Sequence, residues 1–213
     1  MSGLPWFKIA VLAALAWGSW DAWRTRPADP PPGILAPSPP DQQPLNPDSA
    51  AARALPRGDW ELLPRARYSI TARLLSRQGY RFDSMAEVSP LDFALGWGPM
   101  SDTRVLEALR IGQGGRFFSL SWRETPPLPA ETLMQHSANV HIIPANSGIA
   151  RRLDRVRRGE IVRLEGRLVD GERGDGMEFR TSLTRSDTGG GACEVLLVED
   201  LAVLAPGSGR LRT

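Results

Sequence analysis

Eleven of the chain's nineteen prolines fall between Pro27 and Pro64. Proline has no backbone N–H and holds φ near −65°, so a tract this dense supplies few donors to a helix or a sheet. The stretch PADPPPGILAPSPPDQQPLNPDSAAARALPRG therefore reads as an extended linker, assigned to residues 26–62, rising about 3.1 Å per residue where it is polyproline II. It divides the chain into an apolar N-terminal segment (1–25), a globular domain (63–206) and a short flexible tail (207–213). Roughly 145 residues are then left for folding, enough for one well-buried core.

Between Ile9 and Trp20 no residue is charged. A helix of about 20 residues crosses a hydrocarbon core of about 30 Å, and Leu4–Trp23 has that length. Trp6 stands at one end and Trp17, Trp20 and Trp23 at the other, as expected of indoles at membrane interfaces. The alternative is a cleaved signal peptide with Ala14-Leu15-Ala16 at the cleavage site, which leaves a short apolar region ahead of it. The expectation is a single-pass transmembrane helix in the inner membrane with the domain in the periplasm. Lys8 precedes the span and Arg24 and Arg26 follow it, so charge alone hardly decides the orientation. The expected partners are the membrane, through this helix, and another envelope protein.

The net charge of +2 makes no case for nucleic acid. Lys8 is the single lysine among 26 basic residues, a skew that lowers the weight of any one arginine as a phosphate fork. The lone Cys193 excludes an intramolecular disulfide.

Within the domain, Tyr68, Ile70, Ala72 and Leu74 alternate as in a half-buried strand. Ser89-Pro90-Leu91-Asp92 reads as a helix start, with Ser89 as cap and Pro90 at the first helical position. Further signals are a helix from Ser101 or Asp102, a strand through Phe118, Leu120 and Trp122, helical turns in PAETLMQH and a short strand VHII. Asn146 or Ser147 caps a helix over 147–158 with Ile149, Leu153 and Val156 as its apolar stripe, ended by Gly159. EIVRLEGRLVDGE, MEFRTSLTR and CEVLLVEDLAVLA read as strands, with Val162, Leu164, Leu168, Val195, Leu197 and Val198 expected in the core. The fold class is α+β: a β-rich domain, either an antiparallel sheet or a small barrel with inserted short helices.

The run RVRRGEIVRLEGRLVD followed by a hairpin turn resembles a strand of OB-fold proteins, written G-[DE]-x-V-x-[IVL]-x-G with the last glycine at the bend. This resemblance covers residues 159–205 and implies a small OB-like β-barrel. The whole chain is similar to uncharacterised membrane-anchored bacterial proteins, a family that implies no activity.

The stretch HSANVHIIPAN, residues 136–146, concentrates the chemistry-bearing side chains. His136, His141 and Cys193 would suffice as a zinc set, but five positions apart on a strand the two histidines face opposite ways. They converge only if His136 ends the preceding helix. A Cys193–His141 pair needs a reachable thiolate, and Cys193 opens a very apolar strand. The plainer expectation is a buried His141 bonded to Asn139 or a backbone carbonyl. Asp83, Asp92, Asp102, Glu199 and Asp200 are the acidic candidates, with Asp92 and Asp102 accounted for as helix-start residues. Arg151, Arg155 and Arg158 fall together outside the 147–158 helix, a candidate anion-binding surface. No cofactor is expected. The leading functional expectation is a membrane-anchored, non-enzymatic binding or scaffold module of the bacterial envelope. The alternatives are a hydrolase that depends on a metal or on Cys193 and His141, and, if cytoplasmic, an oligonucleotide-binding OB-like domain.

Overall fold

The longest strand, Trp60–Gly79 (β3), shows how the sheet is built. Ala66, Tyr68, Ile70, Ala72 and Leu74 point to one side and are buried, because a strand sends alternate side chains to opposite faces. Over its 20 residues β3 twists far enough to meet two different partners, Leu91–Gly96 (β4) at its C-terminal end and Ile161–Arg173 (β8) along most of its length. In this computed structural model residues 9–11, 26–184 and 193–206 are described.

The domain is β-rich with a large mixed sheet and few helices. β4 pairs antiparallel with Ser137–Pro144 (β7), which pairs parallel with Glu194–Leu204 (β10). Strand β10 pairs antiparallel with β8, and β8 returns to β3, so the pairings β3-β4-β7-β10-β8 close into a ring. Its interior holds Ile70, Leu74, Phe93, Val140, Ile142, Val162, Leu164, Leu168, Leu196 and Val198. Ile149, Leu153 and Val156, from helix Ser147–Leu153 (α3) and the turn after it, join the same cluster. Asn146 caps α3 by accepting the Ile149 N–H at 3.0 Å. At Gly166 a Cβ would overlap the Leu197 carbonyl oxygen, so only glycine lets β8 and β10 approach beside the bulge at Val198–Asp200.

The expected core residues are all buried, but they serve two cores. Val195 and Leu197 face outward and pack with Trp60, Leu62, Ile143, Val169 and Phe179. A third cluster, around Leu75, Ala94, Met100 and Leu133, lies beneath the hairpin of Arg110–Gly114 (β5) and Phe117–Ser121 (β6). Helices Thr103–Glu107 (α1) and Ala130–Gln135 (α2) flank that hairpin in sequence.

Two expectations need correction. The Ser89–Asp92 helix start is the entry into strand β4, because Leu91, Phe93 and Leu95 alternate into the ring and tertiary burial overrides the capping pattern. The proline tract does not hang free. The Ala28 N–H donates to the Arg158 carbonyl at 2.7 Å, and the buried Ser101 Oγ accepts the Leu35 and Ala36 N–H groups at 3.0 and 3.1 Å. Arg73 Nη1 donates to Thr103 Oγ1 at 2.8 Å, and Thr103 Oγ1 donates to the Pro30 carbonyl at 3.0 Å. The N–H groups left between the prolines, together with the Pro30 carbonyl, find partners on the domain. Asp41–Pro44 (β1) and Leu55–Arg57 (β2) then add to β3 as short edge strands. The expected transmembrane span at 4–23 and the tail at 207–213 lie almost wholly outside the described residues. Among the described residues no helix is long and apolar enough to cross a membrane.

Candidate active site

Because Phe93, Val140 and Ile142 point into the ring, their neighbours Asp92, Asn139 and His141 must point out of it. Asp92 and His141 are directly opposed across the β4–β7 pair, and Val195 is the register partner of His141 across the parallel β7–β10 pair. Cys193, two residues before Val195, therefore falls on the same outer face. Strand register lines up the carboxylate and the imidazole, and the thiol lies one residue ahead of β10.

The carboxylate and the imidazole join directly. His141 Nδ1 donates to Asp92 Oδ1 at 2.9 Å, and Asp92 is fully buried. Cys193, half-buried, lies on the same face and contributes to raising the His141 pKa. Asn139 Nδ2 lies 3.9 Å from Cys193 Sγ. Burial by itself would lower the His141 pKa; the bonds and charges of Asp92 and Cys193 outweigh it and raise the value to about 9. At neutral pH His141 is thus an imidazolium.

The hairpin holds the site together from above. Gly115 and Arg116, with φ of 57° and 70°, form the two-residue turn between β5 and β6, as type I′ geometry demands. Arg116 is the one non-glycine with positive φ among the described residues, a conformation that costs about 1 kcal/mol or more. Its bonds repay the strain locally. Nη1 donates to Asp92 Oδ1 at 3.1 Å, Nη2 to Asp83 at 2.6 Å, and the guanidinium lies 3.8 Å from the Tyr80 ring centroid. The Arg116 carbonyl accepts from Asn139 Nδ2 at 3.0 Å, while Gln113 Nε2 donates to Asn139 Oδ1 at 2.9 Å. Asp92 Oδ2 is buried with no hydrogen-bond partner among the described residues.

Of the sequence candidates, His141 and Cys193 come together and His136 does not join them. His136 does end the preceding helix α2, but its Nδ1 pairs with the Thr132 carbonyl at 2.8 Å and its ring packs near Trp97. Among the described residues no group of three or more His, Cys, Asp or Glu side chains is disposed to hold a metal. The expected His141 partners, Asn139 or a carbonyl, give way to Asp92. Its signal is the alternation L-D-F-A-L, which also places a carboxylate on the outer face of a strand. Arg116 carries no signal beyond its glycine-rich turn. Arg151, Arg155 and Arg158 are exposed, although α3 stops at Leu153 and the last two lie in the following turns.

Set against protein-family models, curated proteins and solved structures, the chain matches none.

Proposed function

We propose that this protein is a cysteine-dependent acyl hydrolase, with Cys193 as nucleophile, His141 as its proton-transfer partner and Asp92 as the group that orients the imidazole. The observation that carries this reading is the buried Asp92–His141 bond with the Cys193 thiol beside Asn139 on the same outer face, the residue types of a nucleophile, a base and its orienting carboxylate. The thiolate attacks the acyl carbonyl carbon, forming a C–S bond as the carbonyl pair moves to oxygen. Asn139 Nδ2, 3.9 Å from Cys193 Sγ, is the side-chain donor assigned to that oxyanion. Collapse expels the leaving group, which takes the proton of the His141 imidazolium. Neutral His141 then takes a proton from water, the hydroxide cleaves the thioester, and acid, thiolate and imidazolium are restored.

The scaffold reading goes with it. Numbering the ring strands in chain order gives 1-2-3-5-4 closing on 1, with parallel third and fifth strands and a helix between third and fourth, which supports an OB-like barrel. Oligonucleotide binding fits less well, because the outer face of β4–β7 is roofed by the β5–β6 hairpin. The uncharged N-terminal run supports a single-pass inner-membrane anchor with the domain in the periplasm. The reading as a non-enzymatic envelope module rests on the loop before β4, where Phe82 stands 99% exposed beside Arg77, Tyr80 and Pro144.

The deciding experiment is alkylation and acylation of the full chain in detergent. Iodoacetamide should modify Cys193 at pH 6 at least tenfold faster than it modifies glutathione. 4-Nitrophenyl acetate should release a burst of one nitrophenolate per chain, leaving an acetyl group on Cys193 by mass spectrometry. His141→Gln should abolish both. A thiol no faster than glutathione and indifferent to His141→Gln would end the enzymatic reading in favour of the binding module.

A further inference from the structure

The docked proline tract fixes where the chain enters the domain. The Ala28 N–H binds the Arg158 carbonyl, and the tract is pressed so closely there that a Cβ at Gly159 would overlap the Ala28 carbonyl oxygen. Trp23, the last tryptophan of the apolar run, stands five residues before Ala28. Five extended residues reach at most about 18 Å. A span ending at Trp23 would therefore hold the corner formed by residues 26–29 and 151–159 close to the bilayer surface, instead of at the end of a long tether.

That corner is basic on balance. Arg26, Arg151, Arg155 and Arg158 are exposed and make no ion pair among the described residues. The neighbouring arginines are already matched, Arg152 by Asp200 at 3.1 Å and Arg157 by Glu160 at 2.9 Å. Asp29 and Asp154 are the exposed acids on the same segments, and Asp154 lies 3.5 Å from Arg77. Arginines near a bilayer surface are attracted to anionic headgroups within about a Debye length, roughly 8 Å at physiological salt.

We infer that this corner is a membrane-facing surface, on which Arg151, Arg155 and Arg158 bind the headgroups of anionic phospholipid and set the orientation of the domain. The inference rests on the anchor reading and is independent of the thiol chemistry.

The test uses the full chain with Cys193→Ala, reconstituted in vesicles of phosphatidylglycerol and phosphatidylcholine containing a headgroup nitroxide lipid. A fluorophore is placed at Asp154→Cys or at Gly174→Cys. The second site lies just beyond the far end of β8, whose 13 residues run about 40 Å away from the corner. Quenching at position 154 should be at least threefold stronger than at 174. That difference should shrink with salt, with phosphatidylcholine alone, and with a triple Arg151, Arg155 and Arg158 to Ala variant. Equal quenching at both sites, in a chain that resists alkaline carbonate extraction, would overturn the orientation while leaving the anchor intact. Release of the chain by carbonate would overturn the anchor and this inference together, and neither outcome touches Cys193.

Discussion

The two faces of β4 and β7 are almost equally shielded from water, yet their chemistry is opposite. Inward lie Leu91, Phe93, Val140 and Ile142; outward lie Asp92, Asn139 and His141. The inner face is dry because the ring closes on itself. The outer face is dry because an inserted hairpin lies across it, and that hairpin brings its own arginine and glutamine. A face covered by a separate element can retain charge, provided the cover supplies the partners. That difference separates a core from a site.

The largest effect should come from breaking the outer network at its centre. Asp92→Ala leaves the Arg116 guanidinium and the His141 imidazolium without their shared carboxylate, and breaking a buried pair costs about 3–5 kcal/mol. Denaturant unfolding would measure this, and a loss below about 1 kcal/mol would show that the outer face tolerates charge without the carboxylate. On the inner face, Leu164→Ala should cost about 2–5 kcal/mol through lost burial and the cavity left behind. A loss under about half a kilocalorie would place Leu164 outside the core.

Smaller, and specific to the docked tract, is Ser101→Ala. It leaves the Leu35 and Ala36 N–H groups without their acceptor, at about 1–3 kcal/mol for buried groups left unpaired. It should also raise amide exchange over residues 30–37 ahead of the barrel strands; unchanged exchange there would mean that other contacts hold the tract.

The mildest perturbation is pH. The His141 pKa is raised from about 6.5 in an unfolded chain to about 9 in the fold. Its stabilising contribution is therefore complete below about pH 6.5 and is lost as pH rises through 9. Wild type should lose stability between pH 7 and 10 relative to His141→Gln. Parallel curves for the two proteins would mean that the imidazole is not held by Asp92 and Cys193.

Much of the frame is legible in the order of residues alone. Period-two alternation marks β3 and β8, and a continuous apolar run marks β10; Asn146 and Asp102 announce the helices they cap, and Gly166 marks the close approach of two strands. These are local signals, set by backbone sterics and by side chains within a few positions. Asp92 misleads for the same reason. Ser-Pro-Leu-Asp is locally a helix start, and only the pull of Leu91, Phe93 and Leu95 into the ring makes it a strand.

By itself, then, the sequence determined which segments alternate and where the helices capped by Asp102 and Asn146 begin. The tertiary structure decided which charges meet. His141 and Asp92 are 49 residues apart, Arg116 and Asp92 24, and Cys193 reaches the site from the far end of the chain. It also decided that a proline tract with few donors of its own would be held by Ser101, Asp102 and Thr103. Local sterics act over one turn or one pleat, whereas pairing across a closed ring depends on every strand in it, so no single segment could announce its partner.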